Sequence, residues 1–452
     1  MKVKLLIILI FLISFISSRA QVVFEPLSFD LALEKADKEG KYLMVVLDAK
    51  DCDHCNEVAD KSFTDKLLEQ KLAQKFISIR SKPGDVNWEK LTQQYDLAEG
   101  MATLFFSSQG ILLHKKNGTT SMAKQYADAA EAAISNQGEI LNLKSLTDAY
   151  DSEKNNFKTL HALLIKRKEL WLSTDSLLEI YTTLLPLDSL ESLHQLQFIA
   201  GMAPVLGSKA DELLRKDADL FNQAWYRIDQ QSRVRINNRI IVKSRQIAIA
   251  GRNESFAYRV ANFASSTNTT SYGRQRGYLI NMVEYYKAVK DTARYLDMAT
   301  SYCNRFLMSI DVDSILEKDA LEKKKLLDAA KPEMIRRDST TNRNVLRKTI
   351  SFKPAAQFYM LELNKAASNF YSLTKDPEHL RMALQWSTRA LEFYKTPEAI
   401  DTHAKLLYVN GKKQQAIAFE NEAIDLQKKM GYSTGKFEEA LSKMKEGKAV
   451  ID

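Results

Sequence analysis

Two cysteines three positions apart constrain this chain more than any other feature of its sequence. Cys52 and Cys55 follow the apolar run Tyr42–Leu47 and open a stretch with helical character. The run is continuous rather than alternating, which predicts a strand that is buried on both faces. The start of a helix favours a thiolate, because backbone N–H groups and the helix dipole stabilise negative charge there. The pattern therefore indicates a dithiol redox site at a strand–helix junction.

Composition narrows the class of protein. The chain has 452 residues and three cysteines, which excludes a small scaffold held by disulfides and leaves Cys303 apart from the close pair. An apolar content of 45% and a charged content of 27% are typical of folded globular domains. The net charge is +8, and three of these charges lie in the first twenty residues. We therefore expect no nucleic-acid partner, because the remaining excess is small and spread out.

The first twenty residues have the layout of an export signal. Lys2 and Lys4 precede the almost wholly apolar run Leu5–Ile16, and Ser18 and Ala20 occupy positions −3 and −1 of a cleavage site. The apolar run is short for a membrane span, and an uncleaved anchor is the alternative interpretation. We expect cleavage, no membrane span afterwards, and a location outside the cytoplasm. In a bacterium this is the periplasm, where disulfide chemistry operates.

Residues 21–140 alternate between helix and strand signals. The predicted order is helix, strand, Cys-x-x-Cys helix, a second helical piece, strand, helix, hairpin and helix. Apart from the helix that the motif opens, the predicted segments are Phe29–Lys38, Tyr42–Leu47, Phe63–Gln74, Phe76–Ile79, Asn87–Tyr95, Thr103–Phe106, Ile111–His114 and Thr120–Ser135.

This order, with the stretch from Leu91 to Gly118 that follows the motif, resembles the exported members of the thioredoxin superfamily. The resemblance covers about 120 of the 452 residues. It implies an α/β domain with a mixed sheet flanked by helices, and thiol–disulfide exchange with protein thiols and disulfides of the cell envelope. Cys52 at the helix start is expected to be the more exposed and to attack, and Cys55 to resolve the mixed disulfide. The Cys52–Cys55 pair itself accepts electrons as a disulfide and carries them as a dithiol, so no cofactor and no metal is expected.

Three positions depart from the family pattern. Ala102 stands before Thr103, where the family has a proline that follows a cis peptide bond. A cis bond before alanine would cost about 3 kcal/mol, so we expect a trans bond in this substrate loop. Asp51 replaces the usual tryptophan, and Val46 replaces a buried acid. Asp48, two residues further on, is a candidate to replace that acid in handling protons.

The interior of the motif gives conflicting signals about the direction of electron flow. His54 precedes the second cysteine, and a cationic imidazole would favour a thiolate at Cys52 and make the disulfide a better oxidant. Asp51 and Asp53 act in the opposite sense, because carboxylates disfavour a nearby thiolate. Two other interpretations stay open, namely a static disulfide and half of a zinc site, although zinc needs about four ligands.

From residue 141 onward strand signals fade and helical periodicity dominates, which predicts a large all-α, solenoid-like region. Small residues recur near its end, as Ala383 and Ala390 and then as Ala416 and Ala423. Their spacing is similar to that of the tetratricopeptide repeat, whose unit has about 34 residues. Ordinary packing of helix pairs predicts the same alanines. Cys303 is expected to be a buried helical cysteine.

We therefore predict a signal peptide at 1–20, a thioredoxin-like domain at 21–140, a helical region at 141–350 and tetratricopeptide-like repeats at 351–452. The best internal linker lies between Arg336 and Arg347. The leading hypothesis is an exported thiol–disulfide oxidoreductase whose helical module binds partner proteins. The alternative is a periplasmic scaffold in which the helices carry the function and the thioredoxin-like domain is redox-inactive.

Overall fold

The computed structural model describes residues 21–50, 52–97, 101–185, 192–330 and 352–450. The predicted export signal, Asp51 and the predicted linker at 336–347 lie outside these residues. The chain divides into two compact units, Met1–Ile236 and Asn237–Asp452. A mixed sheet with flanking helices opens the chain and helices follow it, which confirms the predicted fold class.

A four-stranded mixed sheet forms the centre of the first unit, in the order β2-β1-β3-β4. β1 is parallel to β2 and antiparallel to β3, and β3 is antiparallel to β4. The last five residues of β1 are all buried, as its continuous apolar run predicts. The strands are β1 Tyr42–Leu47, β2 Phe76–Ser81, β3 Ala102–Phe106 and β4 Leu112–Asn117.

Five helices accompany the sheet, and local sequence signals set their ends. The Ser28 hydroxyl accepts a hydrogen bond from the backbone N–H of Leu31, which caps α1. Gly40 ends α1 at a φ of +61°, in the left-handed region that glycine adopts most easily. Asp65 caps α3, so that helix starts three residues later than the predicted Phe63. The helices are α1 Phe29–Glu39, α2 Asp53–Phe63, α3 Lys66–Lys75, α4 Val86–Gln94 and α5 Ala123–Ser135.

The two faces of the sheet carry separate buried cores. Alternate residues of β1 divide between them, since successive side chains of a strand point to opposite faces. Val45 and Leu47 share one core with residues of α1 and α4. Met44 and Val46 share the other with residues of α2, α3 and α5. The first unit is thus a helix–sheet–helix sandwich at its N-terminal end.

Helices complete the first unit around a third core that includes Leu163, Tyr181 and Ile199. The turn between α7 and α8 also packs onto the sheet, because Leu170 and Leu172 belong to the core beneath α1 and α4. These helices are α6 Leu143–Ser152, α7 Phe157–Glu169, α8 Asp175–Leu184, α9 Leu193–Gly201, α10 Lys209–Arg215 and α11 Ala218–Tyr226. The next helix is α12 Gln230–Ala250, within which the division at Ile236 falls.

A buried lysine on β4 bonds to the turn between α7 and α8. The ammonium of Lys115, in the middle of β4, donates to the carbonyl oxygens of Tyr95 at 3.1 Å and Trp171 at 2.9 Å. The Asp96 carboxylate accepts a hydrogen bond from the backbone N–H of Ser173 at 2.8 Å. The sheet therefore makes polar as well as apolar contacts with residues beyond 140.

The second unit is helical in all of its described elements. Phe370 and Trp386 lie at the centre of its main core, with ring centroids 4.7 Å apart. The four alanines at the predicted repeat positions are fully buried, on α18 and α20. The elements are α13 Glu254–Ser266, α14 Ser271–Ala288, α15 Thr292–Tyr302, a π-helical turn Cys303–Leu307, α16 Val312–Ala330, α17 Ala355–Leu373, α18 Pro377–Phe393, α19 Pro397–Val409, α20 Lys413–Met430 and α21 Gly435–Glu446.

Within the part of the chain that the structure describes, no helix combines the length and the apolarity that crossing a membrane requires.

Candidate functional site

Cys52 and Cys55 are joined by a disulfide at the N-terminus of α2, and their Cα atoms lie 5.3 Å apart. Cys52 is the cap residue of the helix, and its sulfur accepts a hydrogen bond from the backbone N–H of Cys55 at 3.3 Å. The dithiol therefore lies at the strand–helix junction that the sequence predicts. At this position the helix N-terminus stabilises a thiolate when the disulfide is reduced.

The two residues between the cysteines, Asp53 and His54, are exposed, whereas both cysteines are half-buried. Solvent therefore reaches the motif from the side of Asp53 and His54. The prediction that Cys52 is the more exposed of the pair stays a prediction, since the two cysteines fall in the same range of burial.

The side chain of Asn56 connects the motif to the end of β1. Its Oδ1 accepts a hydrogen bond from the backbone N–H of Ala49 at 2.8 Å, and its Nδ2 donates to the Ala49 carbonyl oxygen at 3.3 Å. Ala49 is buried, and Asn56 directly follows the second cysteine. One amide thus closes the loop that carries Cys52.

An ion-pair cluster lies next to this loop. Arg80 on β2 donates from Nε to the Asp48 carboxylate at 2.7 Å and also pairs with Asp60 on α2. Asp48 is 5% exposed, and Trp88 on α4 donates to its carbonyl oxygen at 2.9 Å. Burial raises the pKa of the Asp48 carboxyl, and the hydrogen bond from the Arg80 guanidinium opposes that shift. The cluster links the end of β1 to α2, β2 and α4.

The predicted substrate loop leads into β3 at the same edge of the sheet. Ala102 pairs with Leu47, the last residue of β1, and Thr103 pairs with Val46. Both Ala102 and Thr103 are buried, at 3% and 1% exposure. The register therefore places these backbones beside the strand that leads to Cys52.

The peptide bonds among the described residues are all trans, including the bond before Ala102, as the sequence predicts. Met101, which precedes it, has a φ of +45°, in the left-handed region that few residues other than glycine adopt. The Met101 carbonyl oxygen accepts a hydrogen bond from the backbone N–H of Gly118 at 2.6 Å. The loop before β3 is thus attached to the end of β4.

Among the side chains that the structure describes, no group of three or more His, Cys, Asp or Glu is arranged to hold a metal ion. Cys303 lies in the second unit and is 1% exposed, in the π-helical turn after α15. The prediction that it is a buried helical cysteine is confirmed.

Asn56 and Arg80 were not predicted as part of the site. Asn56 has a local signal, because an asparagine in the first turn of a helix can bond to the backbone that precedes it. Arg80 has none, because its partners Asp48 and Asp60 lie 32 and 20 residues away in sequence, after β1 and on α2, and meet it only in the folded chain.

In comparisons with known proteins, no protein-family model matches the chain, and no curated protein is significantly similar to it. The strand order and the geometry around Cys52 and Cys55 are therefore the observations from which a function can be inferred.

Proposed function

We propose that this protein is an exported thiol–disulfide oxidoreductase of the thioredoxin superfamily. One observation carries the proposal, namely a disulfide between Cys52 and Cys55 at the start of the helix that follows a central strand. The strand order, with a parallel β1–β2 pair and an antiparallel hairpin, supports it. A cytosolic protein with the same motif would suggest the same chemistry, so the thiol–disulfide exchange in this proposal does not depend on export.

The chemistry is a pair of thiol–disulfide exchanges. In the reducing direction the Cys52 thiolate attacks one sulfur of a substrate disulfide and releases the other as a thiol. The Cys55 thiolate then attacks the Cys52 sulfur of the mixed disulfide, which releases the second substrate thiol. The substrate gains two electrons and two protons while the Cys52–Cys55 pair is oxidised. The oxidising direction is the reverse of these steps.

Substrates of this reaction are polypeptides with thiols or disulfides, in the cell envelope if the protein is exported. The side chains of Ala102 and Thr103 are buried. A substrate segment next to the dithiol would therefore find little exposed surface on these two residues. The helices of the second unit supply further surface for a protein partner, and their buried alanines support tetratricopeptide-like pairing there.

The reduction potential of the Cys52–Cys55 pair tests the proposal in the full chain. A value between about −120 and −270 mV is that of exchange catalysts and supports it, whereas a value below about −300 mV indicates a structural disulfide. Cys55→Ser should accumulate a mixed disulfide with an oxidised test protein, and Cys52→Ser should abolish turnover. Cys303→Ala is the matched control, because it removes a thiol that is buried outside this site and should leave turnover unchanged.

A second candidate function is that of a scaffold whose thioredoxin-like domain is redox-inactive. The trans bond before Ala102 and the valine at position 46 favour it, because both depart from the pattern of active family members. A double variant with Cys52→Ser and Cys55→Ser separates the two functions. Retention of all partner binding and of all activity in this variant would support the scaffold.

A further inference from the structure

We propose that Asn56 is a positioning residue that holds the Cys52 loop in place when the disulfide is open. This inference rests on the proposed function, since it concerns the redox cycle of the same pair. The side chain of Asn56 bonds to the backbone of Ala49, so its effect would act through the backbone of the loop.

The loop leaves the sheet at a defined point. The backbone N–H of Asp48 still donates to Ser81 on β2 at 3.0 Å, which continues the pairing of β1 with β2. At Ala49 the partner changes, because both the N–H and the carbonyl oxygen of this buried residue bond to the Asn56 side chain. Buried backbone groups need partners, and here one amide provides both.

The disulfide and the amide restrain overlapping parts of the chain. The disulfide closes the ring from Cys52 to Cys55, and the amide closes a larger ring from Ala49 to Asn56 that contains it. When two external thiols reduce the pair, the smaller ring opens and the larger one remains. The amide then limits the positions that Cys52 can take relative to Cys55.

This restraint raises the effective concentration of one thiol at the other, and so favours closing of the disulfide. The balanced reaction is disulfide plus two glutathione thiols giving dithiol plus glutathione disulfide. Loss of the amide would free the reduced loop more than the oxidised loop, which the disulfide still restrains. Removal of Asn56 should therefore stabilise the reduced form relative to the oxidised form.

The test is the glutathione equilibrium of the full chain, with the dithiol trapped by alkylation. For Asn56→Ala we expect the equilibrium constant for disulfide formation to fall about tenfold. This is the change expected when the conformational entropy of about one backbone residue is released in the reduced loop. This corresponds to a potential about 30 mV less negative. We also expect the mixed disulfide to persist longer, because Cys55 reaches the Cys52 sulfur less often.

Asn136→Ala is the matched control. Asn136 lies in the same unit, and its Nδ2 donates to the Leu113 carbonyl oxygen at 2.9 Å. Its loss should lower the thermal stability and leave the redox equilibrium unchanged. If Asn56→Ala does not fold, Asn56→Ser replaces it, because its hydroxyl is too short to bond both backbone groups of Ala49.

An equilibrium constant within twofold of wild type in the Asn56 variants would overturn the inference. Failure of the proposed function looks different. In that case the wild-type protein does not turn over any thiol or disulfide test protein, while the glutathione equilibrium still shifts in Asn56→Ala. If the wild-type protein turns over substrate and the equilibrium does not shift, the positioning role alone is wrong.

Discussion

Cysteine occurs in two regions of this molecule whose solvent exposure and backbone environment differ. Cys52 and Cys55 are half-buried at the start of a helix, beside the exposed Asp53 and His54. Cys303 is 1% exposed in a core of aromatic and aliphatic side chains, and burial raises the pKa of its thiol. Solvation and backbone dipoles thus favour a thiolate in the first region and a neutral thiol in the second. At Cys303 the thiol is a small apolar group that fills space.

The largest expected effect is the difference in alkylation rate between these regions. In the reduced full chain, iodoacetamide should modify the reactive thiol of the Cys52–Cys55 pair on the order of 10⁴ times faster than Cys303. Modification of Cys303 requires its core to open, at a cost of about 5 kcal/mol or more. Mass spectrometry of the labelled peptides measures both rates. Comparable alkylation rates would show that the thiols of the two regions do not differ in reactivity.

The next largest effect comes from weakening the core around Cys303. Phe370 is fully buried in the same core, and Phe370→Ala should lower the free energy of unfolding of the second unit by about 3–5 kcal/mol. Labelling of Cys303 should accelerate accordingly. Phe358→Ala is the control, because this phenylalanine lies on the same helix α17 and is 42% exposed. Equal effects of the two substitutions on amide hydrogen exchange in α17 would contradict this assignment of the core.

A smaller effect concerns pH. His403 is buried, its Nδ1 lies 2.9 Å from the Ser387 hydroxyl, and burial with nearby Lys412 lowers its pKa from 6.5 to about 4. In the unfolded chain the imidazole binds a proton near pH 6.5, whereas in the folded chain it does so only near pH 4. The free energy of unfolding therefore falls as the pH falls from 6.5 toward 4, and the loss is about 2 kcal/mol at pH 5.

This loss is measured by urea denaturation at pH 7 and pH 5, with hydrogen exchange used to monitor unfolding of the second unit. His403→Gln retains a group that can bond to Ser387 and does not titrate, so it should reduce the difference between the two pH values. A pH dependence identical to that of wild type would show that other groups cause it.

Local patterns predicted most of the sheet region. Ser28, Gly40 and the run Tyr42–Leu47 define α1 and β1 at the predicted positions, because caps, glycine and apolar runs act over a few residues. The trans bond before Ala102 also follows from local energetics alone. The position of the disulfide at the start of α2 needed only the motif and the strand before it.

Contacts between distant segments were not predictable in the same way. The pairing of Arg80 with Asp48 and Asp60 depends on how β1, β2 and α2 come together in the fold, and no residue type predicts it. The burial of the Lys115 ammonium was also not predictable, since lysine is usually exposed and its two carbonyl partners lie in turns. The roles of Cys52, Cys55, His54, Ala102 and Thr103 stay predictions until they are measured.

The packing of Leu170 and Leu172 onto the sheet has a consequence for how such a protein can evolve. A gene rearrangement that joined the chain directly after α5 to a foreign domain would expose to water the part of this core that Leu170 and Leu172 cover. It would also remove the Trp171 carbonyl oxygen from the Lys115 ammonium, which would retain the Tyr95 carbonyl oxygen. A recombination point beyond Leu172 would therefore disturb this core less than one directly after α5.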